Sequence, residues 1–320
     1  MNQKHKVLII KVGYSETLEH EISTATSYGD VIRSTVLLNL YKDEHVTWLV
    51  DEKAFPILKN NPLIHRILIY NLTNVLQLQS EHFDTVINLE KVPGLCALAD
   101  SIKAWRRYGF RFDVREGLAE AYDGTHIVLS ICQDIEKKRK RKASWQEGLF
   151  EMVGAEWKKQ KYVFSYSPTS SEKYDIGFNY QVGNKWPLKA WPDVYWKELE
   201  KLISSKYTVS WQEGLNSMED YFEWISNCRL VVTNDSFGMH LAIALNKKIV
   251  ALFGPTHYCE NYFYGLGIKM FPQNFSCEKF PCYDKKCAYF DDSCMRLIKP
   301  EDVLREITRL FNSQIVEDED

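Results

Sequence analysis

Eight short apolar runs, in two groups of four, constrain this chain more than any other feature. The first group is VLIIKV (7–12), VTWLV (46–50), RILIY (66–70) and TVINL (85–89). The second is DIGFN (175–179), YTVSW (207–211), RLVVTN (229–234) and KIVALFG (248–254). Apolar strands alternating with helical patterns read as parallel sheets covered on both faces. Two such series predict an α/β chain of two doubly wound, Rossmann-like domains facing across a cleft, 1–160 and 161–320. The join is expected near 155–172, where KKQKYVFSYSPTSSEK loses helical periodicity and fills with Ser, Thr and Lys. The last helix, roughly 300–312, opens with Pro300, Glu301 and Asp302, as a helix start should, and is free to pack back on the first domain. VEDED at 316–320 reads as a solvated acidic tail.

A length of 320 residues fits two domains. Net charge is −3, so no global field draws the chain to nucleic acid or an anionic bilayer. VLII is too short for a signal-peptide core and nothing later resembles a membrane span, which implies a cytoplasmic protein. Its eight cysteines are then expected as thiols or metal ligands rather than disulfides. SWQEGL occurs at 144–149 and again at 210–215, but the flanking contexts differ and the echo is a coincidence.

VVTNDSFGMHLAIAL, 231–245, poses the functional question. A strand stops at Asn234-Asp235-Ser236, passes Phe237 and Gly238, and enters a helix carrying His240. At the carboxyl end of a parallel strand, the first amides of the next helix and its dipole favour an anion. The plain structural role is a helix cap with a buried histidine; the functional one is a phosphate grip. In SYGDVIRSTVLLNL, 27–40, Asp30 stands where a helix begins. It reads either as a cap or as a general base. GNKWPLKAWPDVYWKEL, 183–199, sets Lys185 and Lys189 before another helix, and FGPTH, 253–257, follows a further strand end with a turn fit to wall the same pocket.

Taken together, KVLIIKV, YGDVIRST, KAWPDVYWKEL, NDSFGMHLAIALNKKIVALFGPT and CYDKKCAYFDDSCMRLIKPEDV resemble glycosyltransferase family nine, the heptosyltransferase-like enzymes of lipopolysaccharide core assembly. The resemblance implies a GT-B fold, inversion at the transferred sugar, and a nucleotide-sugar donor, typically ADP-heptose, with no catalytic cofactor. Carried over by position, Asp30 matches the base and Lys189 a lysine on the donor phosphate. Asp235, Ser236, Phe237, Gly238, Met239 and His240 match the donor loop. Gly254, Pro255 and Thr256 line the nucleotide pocket, and Glu213 is a looser match for a ribose contact. Gly29, Glu90, Arg106 and Arg107 are the acceptor-side expectations, the acceptor being a glycan or lipid-linked glycan. One departure is the stretch GYSETLEHEISTATSY, 13–28, about a dozen residues longer than the family's tight turn.

The chemistry stands without the resemblance. Leaving of a nucleoside diphosphate develops negative charge that helix-end amides, Lys189 and a protonated His240 would stabilise without a divalent metal. Cys277, Cys282, Cys287 and Cys294 have gaps of four, four and six residues, looser than structural zinc sites usually show. Plain thiols lead, with a metal as the alternative, since a subgroup of related enzymes binds iron. KKRKRK, 137–142, reads as a solvated face that in this family would also meet phosphorylated lipid at the inner membrane. Lys103, Arg106, Arg107, Arg111 and Arg115 form a second basic stretch. The rival readings are a nucleotide-sugar epimerase or hydrolase of the same fold, and a non-catalytic sugar-nucleotide binder. No G-x-G-x-x-G follows the first strand, which sets NAD chemistry aside.

Overall fold

The computed structural model describes residues 4–14, 25–273, 275–287, 289 and 293–312. Most of the 13–28 insertion (15–24) and the acidic tail lie outside the described residues. The chain divides into two compact units, Met1–Ser165 and Tyr166–Asp320.

The first unit runs β1 (Lys6–Ile10), α1 (Tyr28–Ser34), β2 (His45–Val50), α2 (Phe55–Leu58), β3 (Arg66–Ile69), α3 (Leu72–Ser80), β4 (His82–Asn88), α4 (Pro93–Ser101), β5 (Lys103–Asp113), β6 (Leu118–Ala121), α5 (His126–Gln133), α6 (Ile135–Lys140) and α7 (Trp145–Met152). Its sheet order is β3-β2-β1-β4-β5-β6, parallel except for antiparallel β6. The second unit runs β7 (Tyr174–Asn179), α8 (Asp193–Ile203), β8 (Val209–Trp211), α9 (Met218–Ser226), β9 (Cys228–Asn234), α10 (Phe237–Ala244), β10 (Lys248–Leu252), β11 (Gly267–Met270) and α11 (Pro300–Asn312). Its sheet is parallel throughout, ordered β11-β10-β9-β7-β8.

All eight apolar runs are strands, and central ones are buried on both faces because helices cover both sides. Two helices begin with capping boxes, Ser144–Glu147 for α7 and Ser217–Asp220 for α9. The first SWQEGL therefore lies across the start of α7, while the second leaves β8 for a loop, in agreement with the coincidence reading. Helix α11 buries Val303, Ile307 and Leu310 in the core of the second unit, against Trp196, Leu199 and Val250. The basic stretch from Lys103, which the sequence assigns to no element, is the eleven-residue strand β5 with mixed exposure. The KKRKRK segment lies partly in α6; it is only partly solvated, since the Arg139 and Arg141 side chains are 18% and 10% exposed, Arg139 pairing with Glu136 and Arg141 packing over Trp145. Among the described residues, no helix is long and apolar enough to cross a membrane.

The segment linking the units is irregular but pinned. Asn39 and Asn61 side chains donate to the carbonyls of Lys161 (2.9 Å) and Val163 (2.8 Å) in the first unit. In the second, Glu223 of α9 accepts from Tyr166 Oη (2.5 Å), Thr169 N (3.0 Å) and Ser170 Oγ (2.6 Å).

Candidate functional site

In a doubly wound sheet, ligands gather at the carboxyl edge where the strand order reverses. In the second unit that point lies between β7 and β9, since β8 follows on one side and β9 and β10 on the other. β7 ends at Asn179 and β9 at Asn234, both fully buried. Asn179 Nδ2 donates to Thr233 Oγ1 (2.7 Å) and Ser236 Oγ (2.8 Å), and its Oδ1 accepts from the Tyr221 hydroxyl. Burial raises the Tyr221 pKa, so the phenol stays a donor. Asn234 joins two loops, accepting from Trp191 N (3.0 Å) and donating to Tyr180 O (2.7 Å).

Asp235 follows directly and is 7% exposed. Its carboxylate meets Lys189 Nζ at 2.8 Å and accepts from Thr256 Oγ1 at 2.6 Å. Burial pushes its pKa up, but Lys189, Thr256 and nearby His240 together outweigh that and leave it below the ordinary carboxylate value. Lys189, Asp235 and Thr256, separated in sequence, thus form one network at the switch point. Among the described residues Ser236 makes no side-chain cap on α10; its hydroxyl turns to Asn179 instead. The cap expected of Asp235 and Ser236 is therefore absent, and α10 opens with its first amides unserved by that serine.

Gly238 leaves no room for a side chain: a Cβ would stand 2.5 Å from Asn179 Cγ and collide with Tyr221 Oη. At Gly254 a Cβ would likewise meet Met295 Sδ (2.5 Å) and Cys294 Sγ (2.9 Å). Met239 is wholly buried and His240 is 5% exposed, so the first turn of α10 shows ligands little of either side chain. Phe237 stacks edge-on with Tyr221 at 5.6 Å. Glu213 is exposed just beyond β8 and accepts from Tyr180 Oη at 3.3 Å.

The cysteine segment braces the turn that supplies Thr256. Tyr283 N donates to Pro255 O (2.8 Å), and His257 N donates to Tyr283 Oη (3.2 Å). Cys277, Cys282, Cys287 and Cys294 are free thiols. Burial first, then the neighbouring cysteines, pushes the Cys294 thiol up to about 12. Among the described residues no group of three or more His, Cys, Asp or Glu is placed to hold a metal ion.

In the first unit the order reverses between β1 and β4. There Asp30, 7% exposed in the first turn of α1 behind buried Gly29, meets Arg33 through Oδ1 and Lys11 through Oδ2 (3.8 Å). Glu90 is fully buried, so it is no surface contact for an acceptor; it accepts from Gly13 N at 2.6 Å and pairs with Lys11 at 3.3 Å. Arg107 is also structural: its guanidinium donates to the Ala99, Ala104 and Ile102 carbonyls around the end of α4. Arg106 is exposed on β5. Sequence reasoning missed Lys11, Arg33, Asn179 and Tyr221. Lys11 had a signal, a charge inside an otherwise apolar run.

A family model described as glycosyltransferase family 9 (heptosyltransferase) matches residues 214–288. Lipopolysaccharide heptosyltransferase 1 of Campylobacter coli is 24% identical over 90% of this chain and 98% of its own. The solved structure of Escherichia coli ADP-heptose lipopolysaccharide heptosyltransferase II superposes with a TM-score of 0.69 at 17% identity, covering 95% of this chain and 98% of that one. E. coli heptosyltransferase WaaC with ADP-2-deoxy-2-fluoro heptose gives 0.60 at 15% identity, covering 95% and 99%. These structural likenesses establish the two-unit α/β fold as GT-B.

Proposed function

We propose that this chain is a heptosyltransferase-like glycosyltransferase of family 9 that moves a heptose, with inversion, from ADP-heptose to a saccharide of the lipopolysaccharide core. The observation that carries this reading is the Lys189–Asp235–Thr256 network at the second unit's switch point, beside the opening turn of α10. A diphosphate there meets an ammonium held by a buried carboxylate and the amides at the head of a helix. As the acceptor oxygen bonds to the anomeric carbon and the bond to the diphosphate breaks, those groups stabilise the charge on the departing nucleotide. Glu213 and Tyr180 stand at the same edge for the ribose hydroxyls.

Asp30 takes the acceptor hydroxyl proton in this scheme. Arg33 and Lys11 favour its charged form, which is the form a base needs. The first unit is assigned to the acceptor and the second to the donor, in the cytoplasm, at the inner membrane face where the acceptor is lipid-linked. The test pairs binding with turnover. Asp30→Ala should abolish transfer while ADP-heptose still raises the melting temperature as in the wild type. Full transfer by that variant overturns the base; indifference of the wild type to ADP-, GDP- and UDP-sugars overturns the donor assignment. Nucleotide release without any acceptor would favour a hydrolase or epimerase.

A further inference from the structure

The carboxyl edge of the first sheet holds a chain of alternating charge, Glu90–Lys11–Asp30–Arg33. Lys11 Nζ stands 3.3 Å from Glu90 Oε1 and 3.8 Å from Asp30 Oδ2, and its side chain is 5% exposed. A lysine so buried needs compensating charge. Glu90 supplies it from complete burial, anchored by the Gly13 (2.6 Å) and Tyr14 (3.3 Å) amides. The Lys11 backbone is tied as well: its N–H donates to Leu49 O (3.2 Å), and its carbonyl accepts the Trp48 indole N–H (3.1 Å). Both ends of the side chain are therefore held.

We infer that Lys11, locked in place by Glu90, is a positioning residue for Asp30, an inference that rests on Asp30 being the base. The two cations on Asp30 meet different oxygens, Arg33 on Oδ1 and Lys11 on Oδ2, which fixes the plane of the carboxylate. Arg33 also lies 5.4 Å from the Trp145 ring, so its position is set by α7 and not by the sheet edge. Glu90 has a distinct task. When the acceptor proton reaches Asp30, the carboxylate becomes neutral and Lys11 would lose its partner there. The Glu90 charge remains, so the buried ammonium stays compensated throughout the transfer and the protonated acid is not penalised by a stranded cation. Lys11 orients the base; Glu90 lets the base change charge.

The experiment measures kcat against pH with ADP-heptose and a lipopolysaccharide-core saccharide lacking its heptoses. Lys11→Met should lower kcat about 10- to 100-fold with little change in KM for ADP-heptose. Loss of a cation 3.8 Å away should also move the acid limb of the kcat profile upward by about one to three pH units, the range spanned by aqueous and protein-like screening. Lys11→Arg should restore much of the rate. If Lys11→Met fails to fold because Glu90 is left uncompensated, the double variant Lys11→Met with Glu90→Gln removes both charges and should still lower kcat, with a smaller limb shift because the anion beside Lys11 is removed along with the cation. A folded double variant with wild-type kcat, or a folded Lys11→Met protein with an unmoved limb, overturns the inference. Full activity of Asp30→Asn would instead remove the base itself, and the positioning role with it.

Discussion

Removing the charge of Asp235 tests the second unit's site most directly. The ion pair with Lys189 is 2.8 Å long, and the side chains are only 8% and 11% exposed. At that distance the attraction is roughly 6 kcal/mol for an effective dielectric of 20. Most of this is offset by the cost of taking both ions out of water, so the pair itself adds little net stability. Breaking it is different. Asp235→Asn keeps the shape and an acceptor for Thr256 but leaves Lys189 charged and nearly buried, a change that costs about 3–5 kcal/mol. For a unit of this size that corresponds to a melting temperature lower by about 6–20 °C. Lys189→Met should cost a similar amount by stranding Asp235. The double variant Asp235→Asn with Lys189→Met should be markedly milder than the sum of the singles, since neither charge is then left alone. The assay is thermal and urea unfolding of all four proteins at pH 7, followed by the melting shift each shows with ADP-heptose. Both lysine-free proteins should lose most of that shift even where the fold is restored. Additive unfolding energies, or an Asp235→Asn protein as stable as the wild type, would refute the coupling.

Two further outcomes follow from local geometry. Gly238→Ala places a methyl on Asn179 and Tyr221, so overpacking should cost about 1–3 kcal/mol and weaken the melting shift from ADP-heptose by displacing the residues under the donor loop. Glu223 has a pKa of about 2: burial would raise it, but hydrogen bonds from Ser170, Thr169 and Tyr166 prevail. Its folded value lies below the ordinary 4.5, so its stabilisation is complete above that pH and fades as pH falls toward 2. The group is partly exposed, so screening leaves about 1 kcal/mol at pH 7. Urea unfolding of Glu223→Gln should show a deficit of that size at pH 7 that narrows at pH 4; a deficit that does not change with pH would refute the charge account.

What the sequence determined on its own is the secondary structure of the central strands and the chemistry of the loops that follow them. Runs such as VLIIKV and RLVVTN are apolar on both faces, a pattern suited to a strand buried between helices, and polar residues at their ends mark the carboxyl edge. β5 and β11 escaped because partly exposed strands carry no such run: KAWRRYGFRFD mixes charge with aromatics, and GIKM is four residues of intermediate burial. At the site, Asp235, Thr256, Lys189 and Asp30 were legible as polar residues at strand or helix ends. Their partners were not. Asn179 bonds Ser236 across 57 residues, and Glu90 bonds Gly13 across 77. Only the tertiary structure decided that Gly238 and Gly254 clear room for side chains, that Arg107 serves α4, and that Glu90 is buried behind Lys11. The physical reason is that periodicity records which way a residue faces its own element, whereas pairing of charges and steric clearance depend on which other element the fold brings against it.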